Sequence, residues 1–364
     1  MISPSNRLRL SALLAISGCA LLHILPSARA QTAITSWTVS NSDAADSTAY
    51  SPIITFRNTT YNVTGITAGT AKTIDSTASS VYIRRNTDSN ANGTPNQSGV
   101  DNNNYSSVWD AQEGASTTTV SGTYQATLGD VLLMSNNTLL GADNLFSNSS
   151  TAATTASANI ERVDFYWSGG FTAISSDGFA VFDRGVAGGH DPFRVAVFTG
   201  WDSINNKPIT YSGNTVTTAA GNYGANLDYD PVTGGTQATI ANYRIFRYNT
   251  GDDLSTLSAN NSGSAQGLAG VFISFADLGI AQGTTVYGYS IMASDTTTTI
   301  ANLADWTNST YYPTSTADAN GGIDLMGFNG RRFVPEPSAY GAMFLGLSSM
   351  VLGFRRWLQG RRCA

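Results

Sequence analysis

Outside its two ends this sequence has one histidine, two glutamates and a scatter of aspartates with which to do chemistry. A serine nucleophile needs a base within reach, and His190, in Gly188-Gly189-His190-Asp191-Pro192, is the only central candidate. No Gly-x-Ser-x-Gly elbow accompanies it. Gly-Gly before it and Pro after it are turn punctuation, so His190 is expected to be a turn residue bonding locally. One histidine does not make a His-based zinc site. Cys19 and Cys363, the two cysteines, lie at the extremes of the chain. Glycoside hydrolysis needs only two carboxylates, and Glu113 and Glu161 are formal candidates, although no spacing pairs them. Asp88-Ser89-Asn90-Ala91-Asn92-Gly93 resembles the first half of a calcium loop, with Asp88, Asn90 and Asn92 on alternate residues and glycine at the bend. The twelfth position is Gly99 where a bidentate glutamate belongs, so a weak calcium site and an asparagine-rich turn both remain open. No other cofactor is indicated.

Tryptophan is the other functional residue type. Trp37, Trp109, Trp167, Trp201 and Trp306 lie between the two ends. Trp167 alternates with Val163 and Phe165 and reads as core. Trp201 and Trp306 read as sitting in polar loops, where an indole could stack on a sugar face.

The elements that must position these residues are strands. Thr, Val, Tyr and Phe are plentiful and helix formers scarce. Strands are expected at Ile53–Phe56, Tyr61–Ile66, Val81–Ile83, Gly178–Phe182, Phe193–Phe198, Tyr243–Tyr248, Val271–Phe275 and Val286–Met292. In the stretch 162–167, Val163, Phe165 and Trp167 read as a buried face, and Arg162, Asp164 and Tyr166 as an exposed one. Ala276–Ala281 fits one helical turn capped by Asp277. Asn90–Gly99 and Asp101–Asn104 read as loops. No fixed-period repeat appears, which argues against a β-helix or propeller. The expected fold is all-β: an antiparallel β-sandwich or jelly-roll-like ectodomain over 31–334, with 31–124 and 125–330 as its sub-parts.

The two ends are of another kind. Arg7 and Arg9 precede an apolar run from Leu10 to Leu25, and Ala28-Arg29-Ala30 offers a small-x-small site before Gln31, so 1–30 reads as a signal peptide for signal peptidase. Ile16-Ser17-Gly18-Cys19 is a rival lipoprotein box, but Ala20–Leu25 stays largely apolar where lipoproteins turn polar. At the other end, Val334-Pro335-Glu336-Pro337 is followed by the uncharged run Ser338–Phe354, long enough for one short membrane helix, and then by Arg355-Arg356, which would hold the C-terminus inside.

That order resembles the PEP-CTERM sorting signal of Gram-negative bacteria, here at 334–358 with a basic tail at 359–364. The resemblance implies an exosortase as partner, transient residence in the inner membrane, and delivery to the cell surface or extracellular matrix. Gly141–Phe146, Asn159–Val163, Gly178–Gly185 and Gly270–Ser274 also resemble an uncharacterised ectodomain of bacterial secreted proteins, which implies a surface role and no known activity.

Trimming both ends removes seven of 19 basic residues and one of 25 acidic ones, leaving a formal charge of −12. So acidic a domain lacks the basic footprint that nucleic acid needs. The expected function is structural or adhesive within an exopolysaccharide layer, without an active site. The alternatives are a secreted carbohydrate-active enzyme using an Asp/Glu pair and a plain C-terminally anchored periplasmic protein.

Overall fold

The computed structural model describes residues 31–42, 61–86, 108–110, 120–121, 140–148, 160–185, 189–227, 243–247, 256–262 and 266–336. In chain order the strands are β1 (Thr32–Ala33), β2 (Ser36–Ser42), β3 (Tyr61–Ala68), β4 (Thr70–Thr77), β5 (Ser80–Arg85), β6 (Val108–Asp110), β7 (Val120–Ser121) and β8 (Leu140–Ala142). There follow β9 (Ile160–Thr172), β10 (Gly178–Gly185), β11 (Phe193–Asp202), β12 (Lys207–Thr218), β13 (Tyr243–Arg247), β14 (Thr256–Ser262), β15 (Gly267–Ser274), β16 (Thr285–Ala293) and β17 (Arg331–Pro335). The α-helix among the described residues is a single turn, Asp318–Gly321. Seven of the eight expected strands are present; Ile53–Phe56 lies outside the described residues, as do 1–30 and 337–364.

The strands form three antiparallel sheets, ordered β1-β15-β10-β17-β4-β3-β2, β12-β11-β16-β9-β5 and β7-β14-β13-β6-β8. Strands from 31–124 and from 125–330 interleave, as where β1 pairs with β15 and β5 with β9. The first sheet does not lie flat. Trp37 of β2 and Phe182 of β10 are four places apart, roughly 19 Å in a flat sheet, yet their ring centroids are 6.3 Å apart. The reason is that β1 and β2 are one nearly continuous run: Ile34 N–H donates to Gly270 O on one side, and Thr35 N–H to Thr67 O on the other. One stretch of chain thereby joins both edges of the sheet, closing it into a small barrel and removing the exposed edges that invite aggregation.

Closure explains why β10 is buried at every residue. Ala180 and Phe182 point into the barrel with Ile34, Trp37, Ile66, Leu268, Phe272 and Phe333. Phe179 and Val181 point outward, into a second core shared with Phe165, Trp167, Val195, Val197, Tyr289 and Ile291 of the five-stranded sheet. Each fully buried side chain of this size contributes roughly 1.5–3 kcal/mol. The expected sandwich is therefore present in its all-β, two-sheet form, with one of the two facing sheets curled shut.

Two local expectations change. Arg162 and Asp164 are fully buried, because a distant segment carrying Leu303, Trp306 and Tyr312 covers the outer face of the five-stranded sheet. The turn after β15 is capped by Ser274 rather than Asp277: Ser274 Oγ accepts from Asp277 N–H at 3.1 Å, and Asp277 Oδ2 accepts from Ser274 N–H at 2.9 Å. This reciprocal pair is a capping box, with the acidic residue in the third position.

Candidate functional site

The outer face of the five-stranded sheet presents a row of half-buried aromatic rings, with Tyr82 on β5, Tyr166 on β9, Tyr287 on β16 and Trp201 on β11. These four strands are consecutive neighbours in the sheet. Trp201 stacks on Tyr166 with centroids 3.9 Å apart and planes 12° from parallel, and it lies 5.4 Å from Tyr82 and 5.6 Å from Phe198. Burial, together with the neighbouring Tyr82 and Tyr287 phenols, raises the pKa of Tyr166.

A break in the ladder makes the row continuous. Opposite β16, strand β9 carries three extra residues, since Gly288 pairs with Tyr166 while Val286 pairs with Phe171. Val286 and Tyr289 both reach the inner core, so Tyr287 between them is released to the outer face. Gly288, at φ 156°, sits against Phe198 and the Phe165 carbonyl oxygen, and a Cβ there would collide with both. Gly288→Ala is therefore expected to destabilise the protein by roughly 1–3 kcal/mol, read by urea unfolding, and to quench the tyrosine row's order in near-ultraviolet circular dichroism.

Beside the row, on the same face of the sheet, lies a buried ion cluster. Asp164 accepts from Arg84 Nε and Arg162 Nε, both at 2.7 Å, and from Ser290 Oγ at 2.6 Å. Burial alone would raise the pKa of Asp164, but the two guanidinium groups outweigh it and hold the carboxyl below its ordinary range. Two cations on one anion leave an excess charge, and aromatic faces and carbonyls take it up. Arg162 lies 4.8 Å from the Trp306 ring and 5.6 Å from Tyr211, and Arg84 lies 4.8 Å from Tyr82. Arg162 also donates to Leu303 O, and Arg84 to Asn206 O in the β11–β12 hairpin. The cluster thus locks the covering segment and the hairpin to the sheet, which fixes the edges of the aromatic row. Ile204, 86% exposed, stands at the hairpin tip, three residues beyond Trp201.

Of the two tryptophans expected to stack on sugar from loops, only Trp201 belongs to this surface, and it stands on strand β11 rather than in a loop, paired with Pro208 of β12. Trp306 is 3% exposed, and its Nε1 donates to Arg85 O at 3.2 Å. Its polar neighbours in sequence conceal that its ring is the partner of two buried arginines. The tyrosines carry no joint signal along the chain, because each sits on a different strand and only pairing brings them side by side.

His190 is more than a turn residue. It is buried, with Nδ1 3.2 Å from Asp183 Oδ2 on β10 and Nε2 3.4 Å from Asn226 Oδ1. Burial would lower its pKa, but the hydrogen bond to Asp183 and its charge prevail and raise it. Asp183 also accepts from the backbone N–H groups of Asp191 and Asp324, at 2.9 and 2.8 Å. Alongside, Arg184 bridges Asp143 and Asp324. The arrangement ties β10 to the segments that carry His190, Asp191 and Asp324.

Glu161 is buried beside Asn148, whose Nδ2 donates to it at 3.4 Å. Burial, reinforced by Asp295 and only partly offset by Arg85, pushes its carboxyl up to about 8. Glu113, Asp88, Asn90 and Asn92 lie outside the described residues. Among the described residues, no three His, Cys, Asp or Glu side chains are grouped to hold a metal ion.

At the C-terminal end, Val334 and Pro335 complete β17 and pair with Thr73 and Lys72 of β4, and Glu336 N–H donates to Ala71 O at 3.3 Å. Gln31 is the first described residue, and its Nε2 donates to Thr217 O at 2.6 Å. Ala28, Ala30, Pro337, Arg355 and Arg356 lie outside the described residues, as does the run Ser338–Phe354. Among the described residues no helix is long and apolar enough to cross a membrane. No family model, curated protein or solved structure matches this chain.

Proposed function

We propose that this is an exported protein of the bacterial cell surface or extracellular matrix that adheres to polysaccharide through the aromatic row on its five-stranded sheet. The observation that carries the reading is the row itself: Trp201, Tyr166, Tyr287 and Tyr82, half-exposed on four adjacent strands and flanked on the same face by the Arg84–Asp164–Arg162 cluster. Flat rings spaced across a rigid sheet suit the repeating apolar faces of a sugar chain, and rigid placement limits the entropy lost on binding. Delivery is assigned to the tail, with Val334-Pro335-Glu336-Pro337 as an exosortase sorting motif, Ser338–Phe354 as a transient membrane helix, and Arg355-Arg356 as its stop.

Trp201→Ala in the full-length protein should weaken retention on the host's exopolysaccharide about tenfold, matching the roughly 1.5 kcal/mol of a strong aromatic contact. Unchanged retention, with folding verified by circular dichroism, would sink the assignment of the face. For the tail, intact mass and fractionation in the host are decisive: a chain from Gln31 to near Pro337 in the surface or medium fraction is expected. A retained tail in the inner membrane would instead describe a plain anchor.

A hydrolytic reading has one physical handle, the neutral Glu161 carboxyl beside Asp295. Glu161 is sealed from solvent, which supports a structural role. Purified protein is therefore expected to leave the released polysaccharide uncleaved, in wild type and Glu161→Gln alike.

A further inference from the structure

The barrel has a mouth. At the end where β3 turns into β4 and β15 finishes, an open pocket of about 370 Å³ is lined by Thr32, Lys72, Ser175, Ser274, Asp277 and the ring of Phe272, among others. Barrel mouths and clefts of this size are where small polar ligands bind. The feature that asks for a ligand is Lys72. It is 6% exposed and points to the inside of the barrel, with Nζ 4.4 Å from the centre of the Phe272 ring. It has no hydrogen bond or ion pair with any described residue.

The Lys72 side chain is buried while its ammonium faces the open pocket without a hydrogen-bonding partner among the described residues, so its donors are available to a ligand, and proteins normally pair a charge so poorly solvated. The nearby carboxylates are engaged elsewhere. Asp177 is bound by Arg332, and Asp277 Oδ2 accepts from the backbone N–H and hydroxyl of Ser274. Burial lowers the pKa of Lys72 against the pull of Asp177 and Asp277. The pocket thus offers one cation with open donors, one carboxylate able to accept from hydroxyls, several serine hydroxyls and one aromatic ring.

We infer that this pocket binds an acidic sugar residue, its carboxylate received by Lys72 and its hydroxyls by Asp277 and the serines. A neutral sugar would leave the ammonium without a counter-charge, and a simple anion would make no use of the serine hydroxyls. The site is separate from the aromatic row, on a different sheet. It deepens the adhesive reading by naming a uronic-acid class of sugar, but its test does not depend on that reading.

Lys72 and Lys207 are the only lysines in the chain, so amine labelling reads the site directly. The full-length protein, in mild detergent, is acylated at limiting reagent and each lysine followed by peptide mass. The probes are free glucuronate, a polyuronate chain, and glucose as the neutral control. With glucuronate or polyuronate at about ten times its Kd, labelling of Lys72 should fall roughly tenfold, while Lys207 is unaffected and glucose gives no protection. Protection by the polymer alone assigns the site to a residue within a chain; protection by both assigns it to the sugar acid itself. Lys72→Met should abolish glucuronate binding in calorimetry, and Trp201→Ala should retain it. No protection by either acid, equal protection by glucose, or equal protection of Lys207 would overturn the inference. Retention on exopolysaccharide could still survive that result, which separates failure of this pocket from failure of the aromatic face.

Discussion

Asp164→Ala is expected to destabilise the protein by about 3–5 kcal/mol, the usual consequence of removing one partner from a buried ion cluster. The substitution leaves Arg84 and Arg162, both buried, with no carboxylate between them. It also removes the acceptor of the Ser290 hydroxyl, which is 2.7 Å from Tyr211 Oη, so the disturbance reaches β12. Denaturant unfolding would read the loss, and Trp306 fluorescence would report the covering segment lifting away. Replacing all three charged residues by apolar ones of similar volume should be much milder, because no charge is then stranded. A single Asp164→Ala variant as stable as wild type would mean that water reaches the arginines, and that the cluster does not fix the aromatic row.

The second large effect is on pH. The free energy of unfolding should fall by roughly 2–4 kcal/mol between about pH 5 and pH 8; a carboxyl contributes about 1.4 kcal/mol for every tenfold difference in proton affinity between its folded and unfolded states, less where solvent screens it. Burial, then Asp295, lifts Glu161 from 4.5 to about 8; burial, then Asp183, lifts Asp191 from 3.8 to about 7. Both carboxyls hold their protons more tightly folded than unfolded. Their contribution is therefore complete below the unfolded values and lost as the pH climbs to the folded ones. Raised His190 acts in the same direction above its ordinary 6.5. Depressed Asp164 acts in reverse, its stabilisation present above 3.8 and lost in stronger acid. The stability curve should thus peak in mild acid. Glu161→Gln and Asp191→Asn together should flatten the neutral limb, and a wild-type curve that is already flat from pH 5 to 8 would refute the assignment.

Much of this molecule is local in origin and can be read in order. Gly178–Phe182, Phe193–Phe198 and Val286–Met292 are strands in the sequence and in the structure, because alternation of β-branched and aromatic residues is a property of neighbours along the chain. The buried placement of Val163, Phe165 and Trp167 follows from the same alternation. The opposite face of that strand does not. Arg162 and Asp164 look solvent-facing by type, and only a segment some 140 residues away, delivering Leu303, Trp306 and Tyr312, buries them.

The same limit applies to the candidate site. Trp201 stands out as an aromatic in a polar stretch, and Trp306 looks equivalent, yet one ring lies on the surface and the other between two arginines. Lys72 carries no signal at all in its own stretch, Thr70–Thr77. Its place at the barrel mouth, over a ring and without a bonded partner among the described residues, arises only when the sheet curls and sets β4 across from Phe272 of β15. What the amino-acid sequence determined by itself was the strand-rich composition, the alternation within each strand, and the distinct character of the two ends, all set by residues close together in the chain. Which strands are neighbours, which charges are sealed and where a pocket opens were decided by the tertiary structure, because burial and pairing belong to both partners of a contact and those partners lie up to hundreds of residues apart.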